Sequence, residues 1–180
     1  MSVHKEIQKS SEMKFDGKLI KVTYDVADVN GKEAWREVVH HPGASAIVVV
    51  DDHNRIVMER QYRYAIDYGL LEVPAGKLDG NEDPLECAKR ELEEETGMTT
   101  KSVKKISEFY TAPGFCNEKI YLYKADNLTK VDKPRPHDDD EVLECHEVTL
   151  AEAKALIQKG EISDAKTILA IQYWELETHA

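Results

Sequence analysis

The chain has 180 residues, 41% of them hydrophobic and 33% charged, which fits one domain, or one domain with a small appendage, and excludes a disordered chain. Its formal net charge of -11 sets up a field that repels nucleic acid and anionic lipid, so neither is expected as a partner. No apolar run approaches the roughly 20 residues that cross a bilayer, so no membrane partner is expected either.

In chain order, Met1 to Ser10 is polar and holds no apolar stretch of a secretory signal, which predicts a cytoplasmic protein. Cys87, Cys116 and Cys145 are scattered without metal-ligating or disulfide-framework spacing, in keeping with a reducing compartment. Leu19–Tyr24 and Trp35–Val39 bracket Asn30-Gly31, a strong hairpin signal. Ala46–Val50 is short, continuous and β-branched, the pattern of a strand buried on both faces. Ile56–Tyr62 and Leu70–Val73 follow as strands, the second leading into a loop at Pro74-Ala75-Gly76. A helix then starts at Asp83, which caps it, with Pro84 in the first turn and Glu86 at capping-box spacing. It stops at Gly97. Strands are expected at Val103–Tyr110, Ile120–Ala125 and Leu143–Thr149, and helices at Leu150–Gln158 and Asp164–Glu177. Strands do not alternate regularly with helices, which predicts an α+β fold rather than a doubly wound parallel sheet.

The helix after Asp83 carries the chemistry. Leu85, Ala88 and Leu92 form its apolar stripe. Glu91, Glu94 and Glu95 share a face beside that stripe, and like charges at this spacing weaken a helix unless something compensates. A solvated acidic face is the ordinary reading of such a run. A hard-cation site is the functional one, because Mg²⁺ takes carboxylate oxygens and keeps positions for substrate phosphates.

Gly76, five residues, Glu82, seven residues, then Arg90-Glu91-Leu92, Glu94-Glu95 and Gly97-Met98 resemble the Nudix box at every defined position. The resemblance implies the Nudix fold, an α/β/α sandwich with a mixed β-sheet. A small N-terminal antiparallel β segment over residues 1–42, for dimerisation and a wall of the substrate site, would precede a hydrolase domain over 43–180. It implies hydrolysis of a nucleoside diphosphate linked to another group, with Mg²⁺ or Mn²⁺. Glu91, Glu94 and Glu95 are then the metal ligands, together with the carbonyl of Ala75. Glu82 supports the cluster directly or through Arg90, and Glu94 and Arg90 also belong to the catalytic set.

Features outside the box resemble the ADP-ribose pyrophosphatases of the family. Pro113 stands sixteen residues past Gly97, within Thr111–Phe115, and Gly114 follows it. The stretch Glu59–Arg63 resembles their Glu-Gln-aromatic-Arg strand, which makes Arg63 a candidate to hold phosphates. Arg36–Gly43 resembles their N-terminal segment and brings in Arg36, while Trp35 or Tyr24 would stack a base. His137–Glu141 falls where those enzymes carry a loop with a catalytic carboxylate. Glu141 takes that role best and Asp139 is the second choice. The resemblance thus implies conversion of ADP-ribose to AMP and ribose 5-phosphate by a homodimer. The alternatives are the same chemistry on another nucleoside diphosphate sugar, or a non-catalytic Nudix module that senses a nucleotide. Such modules often lose box carboxylates, and none is lost here.

Overall fold

In a computed structural model, residues 4–136 and 143–178 are described. The chain divides into two compact units. One comprises the residues up to Gly43 together with Phe109–Lys119, and the other comprises Ala44–Glu108 with the residues from Ile120 onward.

The first unit is an antiparallel meander of β1 (Ile7–Asp16), β2 (Lys21–Val29) and β3 (Lys32–His40). Asn30 and Gly31 turn β2 into β3 with φ of 54° and 82°, the left-handed backbone that the Asn-Gly pair signals. The side chain of Asp28 accepts the Gly31 N–H at 2.6 Å and closes the turn. Strand β1 is not among the strands that sequence patterning predicts. Every residue of it is exposed, so it has no buried face and its composition shows no alternation. The later segment joins the meander through its backbone: Val39 donates to the Phe115 carbonyl at 2.7 Å, and Asn117 donates to the Val39 carbonyl at 3.1 Å. The N-terminal segment expected over 1–42 therefore shares its unit with a stretch from mid-chain.

The second unit contains β4 (Ala44–Val49), β5 (Arg55–Arg63), β6 (Tyr68–Glu72), β7 (Ala75–Lys77), α1 (Pro84–Thr96), β8 (Met98–Thr99) and the greater part of β9 (Ser102–Tyr110). Most of β10 (Lys119–Asp126), then β11 (Thr129–Lys130), β12 (Glu144–Thr149), α2 (Leu150–Lys159) and α3 (Ala165–Thr178) complete it. A mixed sheet runs β7-β4-β10-β9, with β4 parallel to β10 and antiparallel to β7. Ala46, Ile47, Val48 and Val49 are all fully buried, which is why this strand reads as an unbroken apolar run. An antiparallel sheet β12-β5-β6 and a short β8–β11 pair complete the strands. The mixed sheet and three helices form the α+β architecture expected. No helix among the described residues is long and apolar enough to cross a membrane.

Local signals and tertiary pairing divide the credit for α1. Asp83 Oδ1 accepts the N–H groups of Leu85 and Glu86 at 2.9 and 3.3 Å, and Gly97 ends the helix with φ of 66°. The carboxylate of Glu86 meets Lys89 at 2.8 Å, so the capping box is realised on one side only. The full reciprocal box occurs instead on α2, between Thr149 and Glu152. Ala88 and Leu92 seat α1 in a cluster with Ile47, Val49, Val57 and Tyr123. Ala75 and Gly76, expected in a loop, form β7, because β4 offers an edge whose backbone groups pair with them.

Candidate active site

Seating Leu92 in the core fixes the rotation of α1, and with it the glutamates that flank the apolar stripe. Glu91 and Glu95 are buried and Glu94 is half-buried. Arg90 answers the charge they bring together. Its Nε and Nη2 fork onto the two oxygens of Glu82 at 3.0 and 3.1 Å, and its Nη1 donates to Glu91 at 2.7 Å and Glu94 at 2.8 Å. Nη2 also reaches the Lys77 carbonyl at 3.3 Å, tying helix to strand β7. Arginine alone offers five donors in one plane, enough to fork onto Glu82 and still reach two other carboxylates and a carbonyl. Hydrogen bonds from Arg90 hold the Glu82 carboxyl below the usual range, and the same bonds push the guanidinium upward. Glu82 thus joins the cluster through Arg90.

The backbone of β7 forms the other wall. A Cβ at Gly76 would stand 1.7 Å from Oε1 of Glu91, so the carboxylate occupies the space that any other residue would fill. The Ala75 N–H donates to Glu95 Oε2 at 3.0 Å. Beneath them the buried Cys87 thiol points at the carbonyls of Gly76 and Lys77, and burial pushes it up to about 12, which keeps it neutral and inert.

The donors here are the hard oxygens of Glu91, Glu94 and Glu95, the kind that Mg²⁺ and Mn²⁺ take. No group of three or more His, Cys, Asp or Glu side chains among the described residues stands ready to hold an ion. Arg90 and the Ala75 N–H engage the carboxylates instead. One buried oxygen lacks a hydrogen-bond partner among the described residues: Oε2 of Glu59, a residue of β5 whose carboxyl hydrogen-bonds to that of Glu95. A donor set of this chemistry with a bare buried carboxylate oxygen fits a divalent cation.

Arg63, at the end of β5, lies on the same unit. Its Nε and Nη2 clasp both oxygens of Glu72 on β6 at 2.7 and 2.8 Å, and Lys166 of α3 bonds the same carboxylate. Glu72 is 2% exposed. Burial pushes its carboxyl upward, but the hydrogen bonds from Arg63 and the charge of Lys166 outweigh that and leave it below the usual range. Sequence reading missed Glu59, Glu72 and Lys166. The signal for the first two was a lone acid inside an apolar strand, Met58-Glu59 and Leu71-Glu72, which burial makes costly without a partner.

The remaining candidates belong to the first unit. Arg36 is forked onto Glu6, with Nε and Nη2 at 2.8 and 2.7 Å from its oxygens. Trp35 is 70% exposed, its ring tilted 49° against Tyr24 at 5.9 Å. Pro113 and Gly114 line a cavity of about 530 Å³ together with Arg36, Tyr110 and Phe115. Arg36, Pro113 and Gly114 are therefore brought together, and Trp35 is not among the residues lining this cavity. Glu141 and Asp139 lie outside the described residues.

The NUDIX domain family matches residues 39–171. Over 169 residues the chain is 44% identical to an ADP-ribose pyrophosphatase of Bacillus subtilis, covering 93% of this chain and 91% of that one. It is 41% identical to the methanol dehydrogenase activator of Bacillus methanolicus, with the same coverage of 93% and 91%. A crystal structure of an ADP compounds hydrolase superposes with a TM-score of 0.83 at 22% identity, over 98% of this chain and 95% of that one, and shares the fold.

The Arg63–Glu72–Lys166 knot sets an acid limit on stability. Glu72 has a carboxyl lowered in the folded state, so its contribution is complete above the unfolded value near pH 4.3 and is lost as pH falls through the folded one. Glu72→Gln leaves Arg63 and Lys166 without their counter-ion. A cost of about 3 kcal/mol is expected at pH 7, near the low end for a broken buried pair because Arg63 is partly exposed. Urea unfolding between pH 7 and pH 3 should show the gap between wild type and variant closing as the acid limit is approached. A constant gap would mean that the ionised carboxylate of Glu72 is not what the variant loses.

Proposed function

The chain belongs to the Nudix family, and from that premise we propose that it hydrolyses the pyrophosphate bond of ADP-ribose to AMP and ribose 5-phosphate. It is a Nudix pyrophosphohydrolase of nucleoside diphosphate sugars. One observation carries the hydrolase reading: Glu82, Glu91 and Glu94 are gathered by Arg90, and Glu95 is held beside them by the Ala75 N–H of β7. The name of the Bacillus subtilis relative supports the choice of ADP-ribose.

Glu91, Glu94, Glu95 and the Ala75 carbonyl would hold Mg²⁺, with Mn²⁺ as the substitute. When bound, the cation neutralises the crowded phosphate oxygens and so admits a nucleophilic water to phosphorus. The chain's own groups do the rest. Arg90 sets the carboxylates at fixed positions. Arg63, oriented by Glu72 through Nε and Nη2, offers Nη1 to a phosphate. Arg36, Pro113, Gly114 and Trp35 are proposed to receive the nucleoside, and Glu141 to take the proton from the attacking water, with Asp139 as the substitute.

A reducing cytoplasm is the proposed location, in keeping with three free cysteines. The proposed assembly is a homodimer. The meander leaves Ile7, Phe15 and Trp35 at 63, 55 and 70% exposure, apolar surface for a second copy to cover. The 1–42 segment would then be the dimerisation element and the 43–180 domain the hydrolase.

Incubating the pure protein with Mg²⁺ and ADP-ribose, ADP-glucose, GDP-mannose or dGTP, and identifying the products, tests the substrate. Glu91→Gln and Glu95→Gln keep the helix but remove charge, and each should lower turnover at least about 10²-fold with little change in melting temperature. Wild-type rates in both would reject the site. Glu141→Gln should lower kcat and leave KM within a few-fold, the pattern of a group that acts in the transition state. Normal kcat in Glu141→Gln beside near-total loss in Asp139→Asn would transfer the role to Asp139. Sedimentation should find twice 20.5 kDa, and a fully active 20.5 kDa species would overturn the dimer.

A further inference from the structure

We infer that Glu59 is an additional carboxylate ligand of the divalent-cation site, one that lies outside the box and on a different element. The inference rests on the cation reading of the box given above.

Glu59 sits on β5, the middle strand of the β12-β5-β6 sheet, directly after Ile56, Val57 and Met58, all of them buried. It is 2% exposed itself. An acid in that place costs several kcal/mol unless a partner repays its lost hydration. The strand register sets it opposite Glu72 on β6 and Cys145 on β12, neither of which brings positive charge. Like charges opposite one another across a strand pair are unfavourable. The nearest cations, Arg63 and Lys166, are both bonded to Glu72.

What Glu59 does touch is the carboxyl of Glu95. Its Oε2 is buried and has no hydrogen-bond partner among the described residues. Glu95 in turn accepts the N–H of Ala75, the residue whose carbonyl belongs to the same donor set. Glu59 of β5, Glu95 of α1 and the Ala75 N–H of β7 therefore converge, and the two glutamates bring the oxygens. A hard divalent cation is the ligand class that satisfies a bare carboxylate oxygen beside a second carboxylate.

The test reads metal affinity rather than turnover. The full-length protein, stripped of metal and free of substrate, is titrated with Mn²⁺ and the free ion is followed by electron paramagnetic resonance. Glu59→Gln keeps the size and a hydrogen bond to Glu95 but loses the charge. It should weaken Mn²⁺ binding about tenfold or more, within the range that metal-site neighbours command, while its metal-free melting temperature stays at or above that of wild type. Glu59→Val, matched to the apolar strand, should weaken binding likewise and melt higher, which keeps the test open if the glutamine variant folds poorly. Mn²⁺ affinity within twofold of wild type in either folded variant overturns the inference. Glu91→Gln separates the two claims. If it loses Mn²⁺ and Glu59→Gln does not, the box reading stands and this one falls. If the wild-type protein binds no Mn²⁺, both fall.

Discussion

Arg90 is the interaction on which the site depends. Glu91, Glu94 and Glu95 on one face of α1, with Glu82 brought in from the preceding loop, concentrate negative charge where the helix also has to pack. A planar guanidinium bonds Glu82, Glu91 and Glu94 simultaneously and anchors to a carbonyl of β7. It converts mutual repulsion into fixed position, and it does so with hydrogen bonds that reach from helix to strand. The arrangement is a set of oxygens held apart and aimed by a cation that belongs to the chain itself.

The core makes that arrangement possible. Leu92 and Ala88 seat α1 on the β4 layer, which turns Glu91 and Glu95 inward beside β7 rather than out to water. Gly76 then leaves room for the Glu91 carboxylate that no side chain would leave. Packing, steric room and charge thus act on the same few residues. A change in the hydrophobic stripe would rotate the carboxylates as surely as a change in the carboxylates themselves.

Two buried acids on adjacent strands, Glu59 and Glu72, face each other across β5 and β6 and resolve their charge differently. Glu72 takes Arg63 and Lys166 and becomes the brace of an arginine aimed outward. Among the described residues Glu59 hydrogen-bonds to the carboxyl of Glu95, at the edge of the box, and its Oε2 is left without a partner. The contrast separates an acid that stabilises the fold from one kept for a ligand.

The sequence by itself determined the parts that depend on near neighbours. The Asn30-Gly31 hairpin, the apolar run of β4, the Asp83 cap, the Gly97 stop and the glutamate face of α1 are all set by residues within a few positions of each other. The family followed from the box because its spacing spans one loop and one helix. Tertiary structure decided the rest. β1 is wholly exposed and carries no periodic signal, and β7 exists only because β4 presents an edge to it. Arg36 bonds a glutamate thirty residues earlier, Arg63 a glutamate nine residues later, and Lys166 reaches back ninety-four residues to that same Glu72. Glu59 reads in sequence as part of an arginine-bearing strand, and only the approach of α1 to β5 sets it against Glu95. Hydrogen-bond donors and carboxylates pair by proximity in space. Chain order predicts that proximity within a turn or a helix, and not across a sheet.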